Sequence, residues 1–203
     1  MLHVDVASMT ARQRQRLLLW SVVPRPVAMV STVSPGGAVN LAPFSYFTAV
    51  GHSPMALLFC AGRLADGTEK DSCRNARLPA EGGTGEFTVN VLVEQHAGAA
   101  ATAAKPLPYG ESEYEPAGLR ALPGHAVRSP RIDGSPIAFE CRTSSVLPVG
   151  DHLVVVGEVV HVVVQEGLVD EAGFHVDLDR LGAVGRMGAA DFVRTRDRYA
   201  VDG

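Results

Sequence analysis

The sequence feature that most constrains the fold is a proline inside a strand-like octet, Asn40-Leu41-Ala42-Pro43-Phe44-Ser45-Tyr46-Phe47. The flanking residues favour a strand, but Pro43 has no N–H to donate to the ladder of a central strand. The octet must therefore lie at the edge of a sheet or be split. The turn residues Ser-Pro-Gly-Gly at 34–37 separate it from the apolar segment 27–33, so the two segments are predicted to form an antiparallel hairpin.

A split strand leaves backbone N–H and C=O groups without ladder partners, and such groups are costly to bury. A flat heteroaromatic ring with donors and acceptors along one edge would satisfy them. Small residues such as Ala42 and Ser45 would let the ring approach, and Phe44, Tyr46 and Phe47 would wall the pocket. The alternative is an ordinary edge strand with a bulge at Pro43 and core aromatics, and the octet alone does not separate the two.

Composition excludes several classes of function. The length of 203 residues predicts one domain, spanning residues 1–203. A domain of this size can bury a hydrophobic core without stabilisation by disulfides or metal ions. The net charge of −4 does not indicate the basic surface with which proteins bind nucleic acid. Apolar runs such as 159–164 are far shorter than the roughly 20 residues of a membrane span, and residues 1–15 lack the apolar core of a signal peptide. We therefore expect a soluble, cytoplasmic protein without nucleic-acid or membrane partners.

Three cysteines, Cys60, Cys73 and Cys141, are an odd number without a Cys-x-x-Cys pair, which argues against a disulfide framework and a structural zinc site. We expect all three to be reduced core residues. The alternative for Cys73 is a thiol of lowered pKa near a helix start. The chain also has no strand-led Gly-x-Gly-x-x-Gly, no Walker loop and no His-x-x-x-His pair, so Rossmann, P-loop and helical metal sites are excluded.

Two helices carry start signals. The first is predicted over 10–19, with Thr10 and Gln13 forming a capping box and residues 17–20, Leu-Leu-Leu-Trp, as its buried end. The second follows the loop at 62–67, where Thr68 and Asp71 fit a capping box.

That second capping box places Lys70 and Ser72 in the first turn of the helix. Unpaired N–H groups at a helix start suit a phosphate, and Arg63 and Lys70 would add positive charge while Ser72 would add a hydroxyl donor. The alternative is that Asp71 only caps the helix and that both cations are solvated.

The remaining segments predict a mainly β fold. Further strands are predicted over 55–61, 86–93, 136–148 and 152–165, with a flexible link at 81–85 and a helix over 93–105. The segment 106–136 is long for a loop and is interpreted as a lid or a partner-clasping arm. Segment 153–164 is so rich in valine that both faces should be buried, apart from Glu158 and His161, with a second subunit covering one face.

Four segments in this order resemble the flavin reductase-like family of FMN-binding split barrels, the group that includes flavoredoxin. They are Pro24-Arg25-Pro26-Val27-Ala28-Met29-Val30-Ser31-Thr32-Val33, Asn40-Leu41-Ala42-Pro43-Phe44-Ser45, Lys70-Asp71-Ser72 with Asn75, and Gly150-Asp151-His152. The resemblance covers about residues 18–193. It implies a mainly β (α+β) fold, an antiparallel Greek-key split β-barrel with short flanking helices, and a homodimer with the flavin near the interface. It also implies FMN as cofactor, with FAD as the alternative, and NAD(P)H as reductant.

The resemblance assigns cofactor contacts to individual positions. Ser31 and Thr32 resemble ribityl or phosphate contacts, and the residues that resemble the isoalloxazine edge are Asn40, Ala42, Pro43 and Ser45. The residues that resemble phosphate ligands are Lys70 and Ser72, with Arg63 beside them. Ser72 stands where the family motif has Thr and keeps the hydroxyl.

Two further regions resemble parts of the site near the reactive ring. His152 resembles a family histidine on the nicotinamide side and is the candidate catalytic residue, whereas a turn hydrogen bond is its simpler role. Arg186 and Gly188 would approach the cofactor from the tail.

Three functions follow as hypotheses. The first is an NAD(P)H:flavin oxidoreductase, in which hydride passes from nicotinamide to flavin N5. The second is an FMN-binding electron carrier without direct NAD(P)H activity. The third, a protein-interaction or oligonucleotide module, is disfavoured by the acidic balance of the chain. The sequence does not decide whether NADH or NADPH is the preferred reductant, or whether FMN is a bound cofactor or a released substrate. It also leaves open the final electron acceptor, for which a monooxygenase partner, iron, oxygen and another protein are the alternatives.

Overall fold

Pro43 lies in an edge strand of a seven-stranded antiparallel sheet in the computed structural model, which describes residues 1–201. The strands are, in chain order, β1 (Arg25–Pro26), β2 (Ala28–Val33), β3 (Val39–Phe44), β4 (Phe47–His52), β5 (Met55–Gly62), β6 (Glu86–Val91), β7 (Ala121–Leu122), β8 (Arg131–Ile132), β9 (Ile137–Val149), β10 (His152–Val164), β11 (Val169–Asp170), β12 (His175–Val176), β13 (Val184–Arg186) and β14 (Phe192–Arg194). The α-helices are α1 (Ala11–Ser21), α2 (Asp71–Ala76), α3 (Ala97–Ala103) and α4 (Leu178–Leu181). Short 3₁₀ turns lie at Val6–Ser8, Pro79–Glu81 and Glu94–His96.

The order of strands across the main sheet is β3-β2-β6-β9-β10-β5-β4, so β3 and β4 are its two edges although they follow each other in sequence. Only Ser45 and Tyr46 join them, and the Cys60 N–H holds this link by donating to the Tyr46 carbonyl at 2.7 Å. The sheet therefore curls into a barrel that is split between β3 and β4. The predicted split barrel is confirmed, and Pro43 lies both at an edge and beside the split.

Local sequence patterns correctly predicted the main hairpins. β2 pairs with β3 across the turn at 34–37, and β9 pairs with β10 across Gly150 and Asp151. The predicted strands at 55–61 and 86–93 correspond to β5 and β6. Short β1, β13 and β14 form a separate three-stranded sheet beside the split.

Both faces of β2 are covered, which explains why all six of its residues are buried. Alternate side chains point to opposite faces of a strand. Ala28 and Val30 therefore join the cluster inside the barrel, with Phe59 and Phe87, whereas Met29 belongs to a second cluster outside it. The second cluster lies between the barrel, α3 and the segment 106–136.

Segment 106–136 is an arm packed on its own barrel. The Tyr114 hydroxyl is 2.7 Å from Ser31 Oγ, and the Ile132 N–H donates to Asn90 Oδ1 at 2.8 Å. Glu113 and Ser129 are also buried. Buried polar contacts hold this segment on the outer face of β2 and β6, and its interpretation as a lid or a partner-clasping arm stays a prediction.

Helix α1 begins where predicted, since the Gln13 N–H donates to Thr10 Oγ1 at 3.2 Å and the Thr10 N–H donates to Gln13 Oε1 at 2.8 Å. Its predicted buried end is wrong in the isolated chain. Leu17 is 54% exposed and Trp20 is 57% exposed. The apolar end of α1 lies against a groove rather than against the barrel core.

The other predicted helix signals were less accurate. Thr68 does not cap α2, because its N–H and hydroxyl both donate to Asp66 Oδ1, at 2.9 and 2.7 Å. Lys70 occupies the N-cap position without a side-chain cap, and α2 begins at Asp71. Helix α3 covers only part of the predicted 93–105, after the 3₁₀ turn at Glu94–His96.

Residues 81–85 are not a flexible link. The Thr84 N–H donates to the Asn75 carbonyl at 2.7 Å, and the Gly85 N–H donates to the Arg77 carbonyl at 2.8 Å. These bonds tie the segment to the end of α2.

Strand β10 is buried on one face only. Leu153 and Val155 point into the barrel, whereas Val154 and Val156 on the outer face are half-buried. The isolated chain therefore buries one face of β10, and covering of the other face by a second subunit stays a prediction. Among residues 1–201, no helix has the length and apolar character to span a membrane.

Candidate functional site

Two adjoining cavities run along the open edge of β3. The Lys70 cavity, of about 230 Å³, lies between β3, the start of α2 and the beginning of the arm. The Arg186 cavity, of about 420 Å³, lies between the end of β3, α3 and β13. Pro43 and Ala104 line both cavities, so together they form one continuous site along the strand that the sequence marked out.

The Lys70 cavity carries charge of both signs. Lys70 and Lys105 line it from opposite elements, the start of α2 and the end of α3. Asp71 and Glu113 also line it, and burial raises the pKa of both carboxyl groups above the usual range. Because α2 is only six residues long, the lysines rather than its helix dipole supply most of the positive field.

A buried polar network fixes the floor of the Lys70 cavity. Asn40 Nδ2 donates to Ser72 Oγ at 3.0 Å and to Thr32 Oγ1 at 3.1 Å. Asn75 Nδ2 donates to the same Thr32 hydroxyl at 3.1 Å. Since all four side chains are buried, the network connects β2, β3 and α2 rigidly. Asn40 and Ser72 reach the cavity surface, whereas Thr32 lies beneath them.

The Arg186 cavity has a wall of small residues. Ala100, Ala101 and Ala104 present only methyl groups, so this side of the cavity is flat and shallow. Ser45 and Arg186 provide its polar groups, and the Arg186 guanidinium stacks 4.6 Å from the centroid of the Phe192 ring. The alanines and the end of β3 thus border one cavity with an apolar wall. The run of alanines in the sequence was the available signal for this wall.

Arg25 is a site residue to which the sequence analysis gave no role. It is almost fully buried, and its Nε donates to Ser45 Oγ at 3.3 Å. Its other nitrogens donate to the carbonyls of Leu19 at 2.7 Å, Val22 at 2.9 Å and Met187 at 3.0 Å. Burial lowers its pKa. Arg25 thus joins α1, the tail and the split through one guanidinium, and the Pro-Arg-Pro motif was its only sequence signal.

Glu113 is the second residue that sequence reasoning missed. One carboxylate oxygen accepts the Leu41 N–H at 2.8 Å, which satisfies a backbone donor on the open edge of β3. Donors on alternate residues of a strand point to the same side, so Pro43 lacks an N–H where the next outward donor would stand. The open edge of β3 therefore has few unpaired backbone N–H groups, and side chains rather than backbone groups border the cavity.

Several predicted site residues lie away from the two cavities. Ser31 is fully buried and bonded to Tyr114, and Arg63 is exposed, with its guanidinium 3.6 Å from Glu69. His152 Nδ1 lies 2.7 Å from Asp151 Oδ1, and its ring is tilted against that of Tyr46 with centroids 5.4 Å apart. Gly188 is buried beneath Trp20.

The aromatic residues of the octet do not line either cavity. Phe44 packs against Phe59 inside the barrel, with ring centroids 4.9 Å apart, and Phe47 packs on the same core. The expectation that they wall the pocket is wrong for the described residues, because Phe44 and Phe47 pack on the barrel core and Tyr46 lies beside His152. Cys73 is a core residue as expected, and burial raises its thiol pKa to about 12.

A split barrel with a polar channel along its open edge is the architecture of a flavin-binding oxidoreductase. Residues 20–179 match the model of the flavin reductase like domain. A protein of Halalkalibacterium halodurans is 35% identical, over 96% of this chain and 93% of its own length. The actinorhodin polyketide dimerase of Streptomyces coelicolor is 33% identical, over 71% of this chain and 72% of its own length.

Solved structures agree with these relatives. Nitrilotriacetate monooxygenase component B from Bacillus cereus superposes with a TM-score of 0.91 at 29% identity, covering 99% of this chain and 98% of that one. The 2-nitrobenzoate 2-nitroreductase of Pseudomonas fluorescens superposes with a TM-score of 0.88 at 28% identity, covering 100% of this chain and 96% of that one. The chain therefore belongs to the flavin reductase-like family, and it is an oxidoreductase of the flavin-binding split-barrel type.

The residues present fit a flavin. The alanine wall and Ser45 offer a flat surface with polar groups at one end, and two lysines and the Ser72 hydroxyl offer an anion site at the other. From Asn40 to Ser45 an extended chain spans about 17 Å at 3.3 Å per residue. A flavin mononucleotide laid along β3 would therefore reach both ends.

Proposed function

We propose that this protein is an NAD(P)H-dependent flavin reductase that holds FMN along the open edge of β3. The observation that supports the proposal is the continuity of the two cavities, one lined by lysines and the other by alanines. When bound, a flavin supplies the redox chemistry: it accepts hydride from a nicotinamide at N5, develops negative charge near N1 and O2, and passes electrons to a second substrate.

The side chains of the Lys70 cavity would hold the phosphate. Lys70 and Lys105 provide charge from two sides, and Ser72 provides a hydroxyl that Asn40 holds in place. Asn40 lies at this end of the site, so we place it beside the phosphate and ribityl chain, acting through Ser72, while Thr32 supports Asn40 from beneath. This position for Asn40 differs from the isoalloxazine edge, which the resemblance to the family implied.

The side chains of the Arg186 cavity would orient the ring. Ser45 Oγ accepts a hydrogen bond from Arg25, which leaves the Ser45 hydroxyl hydrogen available to donate to the ring edge. Arg25 and Arg186 place positive charge at the same end. Preorganised donors and charges of this kind favour the reduced ring, and no side chain need act as an acid or base during hydride transfer.

The final acceptor is a second substrate or a partner protein. A monooxygenase component and a nitroreductase stand among the relatives, and both names support transfer of electrons from flavin to a separate acceptor. We include a homodimer in the proposal, because outer-face residues of β5, β9 and β10 form an apolar surface in the isolated chain. They are Leu58, Cys60, Leu147, Val154 and Val156.

The test is anaerobic addition of NADH, then NADPH, to protein supplied with FMN, while the visible flavin absorbance is followed. We expect rapid bleaching beyond the free-flavin control. A bound and perturbed flavin that does not bleach would favour the electron-carrier hypothesis. An unchanged flavin spectrum, with flavin lost on dialysis, would contradict the cofactor assignment.

A matched pair of variants tests the phosphate end. Lys70→Gln should weaken FMN binding by about tenfold, because a charge-assisted contact is lost. Arg63→Gln is the control, since Arg63 is engaged with Glu69 outside the cavity and its loss should leave FMN affinity nearly unchanged. Equal losses in both variants would mean that long-range charge, rather than a contact from Lys70, supports binding.

A further inference from the structure

The hairpin formed by β11 and β12 presents an aromatic side chain to solvent. Phe174 is 81% exposed, and its φ of 54° lies in the left-handed region that is uncommon for a residue with a Cβ. Asp170 fixes this turn, because its carbonyl accepts the Phe174 N–H at 2.7 Å. Its carboxylate accepts the N–H groups of Ala172 and Gly173 at 3.2 and 2.9 Å. The turn therefore holds an exposed phenyl ring in a defined position, as a binding anchor requires.

The hairpin is anchored at its base and acidic along its length. Leu168, directly before β11, is buried, and its carbonyl accepts the Asp177 N–H at 2.9 Å. The segment 165–179 contains no lysine or arginine but has several carboxylates. They are Glu166, Asp170, Glu171, Asp177 and Asp179. The exposed ring of Phe174 therefore lies in a negative field.

A groove of opposite charge, the arginine groove, lies between α1, the N-terminal segment and the tail at 186–189. Its volume of about 1050 Å³ is slightly above the roughly 300–1000 Å³ of typical small-molecule pockets. Four arginines line it, and no aspartate or glutamate of the described residues does so. Within residues 1–201 none of the four forms an ion pair with a carboxylate. They are Arg12, Arg16, Arg25 and Arg186.

The arginine groove also has exposed apolar side chains. Leu17 and Trp20 line it from successive turns of α1, and more than half of each is exposed in the isolated chain. Trp20 lies on Gly188, where an added Cβ would lie 2.4 Å from the indole, so the glycine lets the ring rest on the tail. Tryptophan and arginine are enriched among the residues that contribute most energy to protein interfaces. The groove thus has the apolar surface and the charge that complement Phe174 and its acidic neighbours.

The hairpin and the arginine groove lie at opposite ends of β10. The hairpin follows the last residue of this strand, Val164. The first residue, His152, lies beside Tyr46, which is the chain neighbour of the groove residue Ser45. The exposure of Phe174 shows that the hairpin does not fill the groove of its own chain.

A two-fold axis across β10 places the end of this strand in one protomer near its start in the other. The outer face of β10 is part of the surface that we assigned to the homodimer, so the inference rests on that part of the proposed function. In such a dimer the acidic hairpin of each protomer lies near the arginine groove of its partner.

We propose that a second copy of this chain occupies the arginine groove and that the two protomers exchange their hairpins. Phe174 of one protomer packs against Leu17 and Trp20 of the other. Glu171, beside the tip of the hairpin, pairs with Arg16 across the same contact. Because a two-fold interface is reciprocal, both contacts form twice in each dimer.

The exchanged hairpin also completes a site. Ser45 and Arg186 line both the arginine groove and the Arg186 cavity. The hairpin of one protomer therefore closes the Arg186 cavity of its partner on the side that the isolated chain leaves open.

Disulfide trapping in the full-length chain tests the contact directly. In a Cys60→Ser background, Leu17→Cys combined with Phe174→Cys should give a covalent dimer on a non-reducing denaturing gel after mild oxidation. Each of these two changes alone should give none. Glu111→Cys combined with Phe174→Cys is the matched control, because Glu111 is an exposed residue of the arm outside the groove.

Three results of the trapping experiment would overturn the proposal. They are the absence of a covalent dimer from the Leu17 and Phe174 pair, an equal yield from the control pair, and a disulfide within one chain. The last would appear as a monomer of altered mobility.

An exchange of charges tests the predicted ion pair. Glu171→Arg should weaken dimerisation by about tenfold, because like charges then face each other in the groove, and Arg16→Glu should have a similar effect. The two changes together should restore the dissociation constant to within about threefold of the wild type, since the pair is reversed rather than lost. Sedimentation equilibrium measures these constants. Losses that add in the double variant would contradict the pairing.

Failure of the exchange and failure of the proposed function are distinguishable. A dimeric wild type whose Leu17 and Phe174 variant forms no covalent dimer would retain the homodimer and reject only the exchange of hairpins. A monomeric wild type would reject both the homodimer and the exchange. Reduction of FMN by NADH or NADPH in a chain that does not crosslink would leave the reductase assignment in place.

Discussion

Glu113 places a carboxylate in the cavity that we assign to the phosphate. Burial is the largest effect and raises the pKa of Glu113. Backbone N–H groups that donate to the carboxylate lower the pKa, and repulsion from Asp71 raises it by a smaller amount. The folded state therefore favours the protonated form more than the unfolded chain does. Its contribution to stability is complete below the pKa of the unfolded chain and is lost as pH rises through the pKa of the folded state.

We expect Glu113→Gln to strengthen FMN binding at pH 8 by about fivefold, roughly the 1 kcal/mol of one unit charge at 4 Å in water. The gain should shrink as pH falls and Glu113 becomes protonated, because the wild type then also lacks the charge. Fluorescence titration of FMN between pH 5 and 8 measures both effects. Glu111→Gln, an exposed residue of the same arm, is the control. A gain that is independent of pH would contradict the electrostatic explanation.

Arg25 is the other residue on which the local architecture depends. Its guanidinium donates to one hydroxyl and three backbone carbonyls contributed by separate parts of the chain. A lysine keeps the charge but cannot reach four acceptors from one planar group.

We expect Arg25→Lys to lower the free energy of unfolding by about 2 kcal/mol, because buried carbonyls lose their donors. Urea denaturation measures the change. Arg142→Lys, an exposed arginine of β9, should have almost no effect. Comparable stability of the two variants would show that water replaces the guanidinium without cost.

At the scale of elements, β10 contains a glycine, Gly157, at the point where the strand passes the buried ring of Phe87. A Cβ on Gly157 would lie 2.4 Å from the ring of Phe87, which is fully buried and has no space into which to move. A register shift follows Val156 at this point, so the strand bends around the phenyl ring.

We expect Gly157→Ala to destabilise the protein by about 2 kcal/mol or more through overpacking. Thermal and urea unfolding will measure the loss. Gly36→Ala is the matched control, because its Cβ would meet only Ser34 Oγ at 3.8 Å in an exposed turn. That variant should be neutral or slightly stabilised by loss of chain entropy. Similar stability of both variants would mean that β10 shifts to accommodate the methyl group.

Elements defined by neighbouring residues were the ones that the sequence predicted well. The β2–β3 hairpin follows from the turn at 34–37, and the start of α1 follows from Thr10 and Gln13. The capping box at Thr68 failed because a competing acceptor, Asp66, lies two residues away. Local pattern alone cannot decide between two acceptors at similar distance.

Long-range contacts explain what the sequence could not predict in the site. Glu113 meets Leu41 across 72 residues, and Arg25 meets Met187 across 162 residues. No periodicity or motif encodes such pairs. Lys70, Ser72 and Pro43 could be predicted because each belongs to a short motif, whereas Lys105 joins them only through the packing of α3.

At the scale of the whole molecule, the half-exposed outer face of β5, β9 and β10 is the surface that we assign to the homodimer. Val156 lies opposite Leu58 in the ladder, and Val154 lies opposite Leu147. An apolar surface of this kind supports the proposed homodimer interface.

We expect Val156→Asp to convert the dimer to a monomer, because an unpaired charge is costly in an apolar interface. Light scattering coupled to gel filtration measures the mass. Arg120→Asp, at an exposed position of the arm that packs on β2 and β6, is the control for surface charge and should remain dimeric. A wild-type chain that is monomeric would contradict the assigned interface directly.

The separation of β3 from β4 also has a kinetic consequence. These strands are consecutive in sequence, yet five strands lie between them across the sheet. Pairings between distant parts of the chain form slowly, so folding should be governed by closure of the complete sheet. The edge along which we place the cofactor takes shape only when that closure is complete. Flavin binding should therefore indicate complete folding. Chains in which the sheet has not closed should bind no flavin and should lack its visible absorbance.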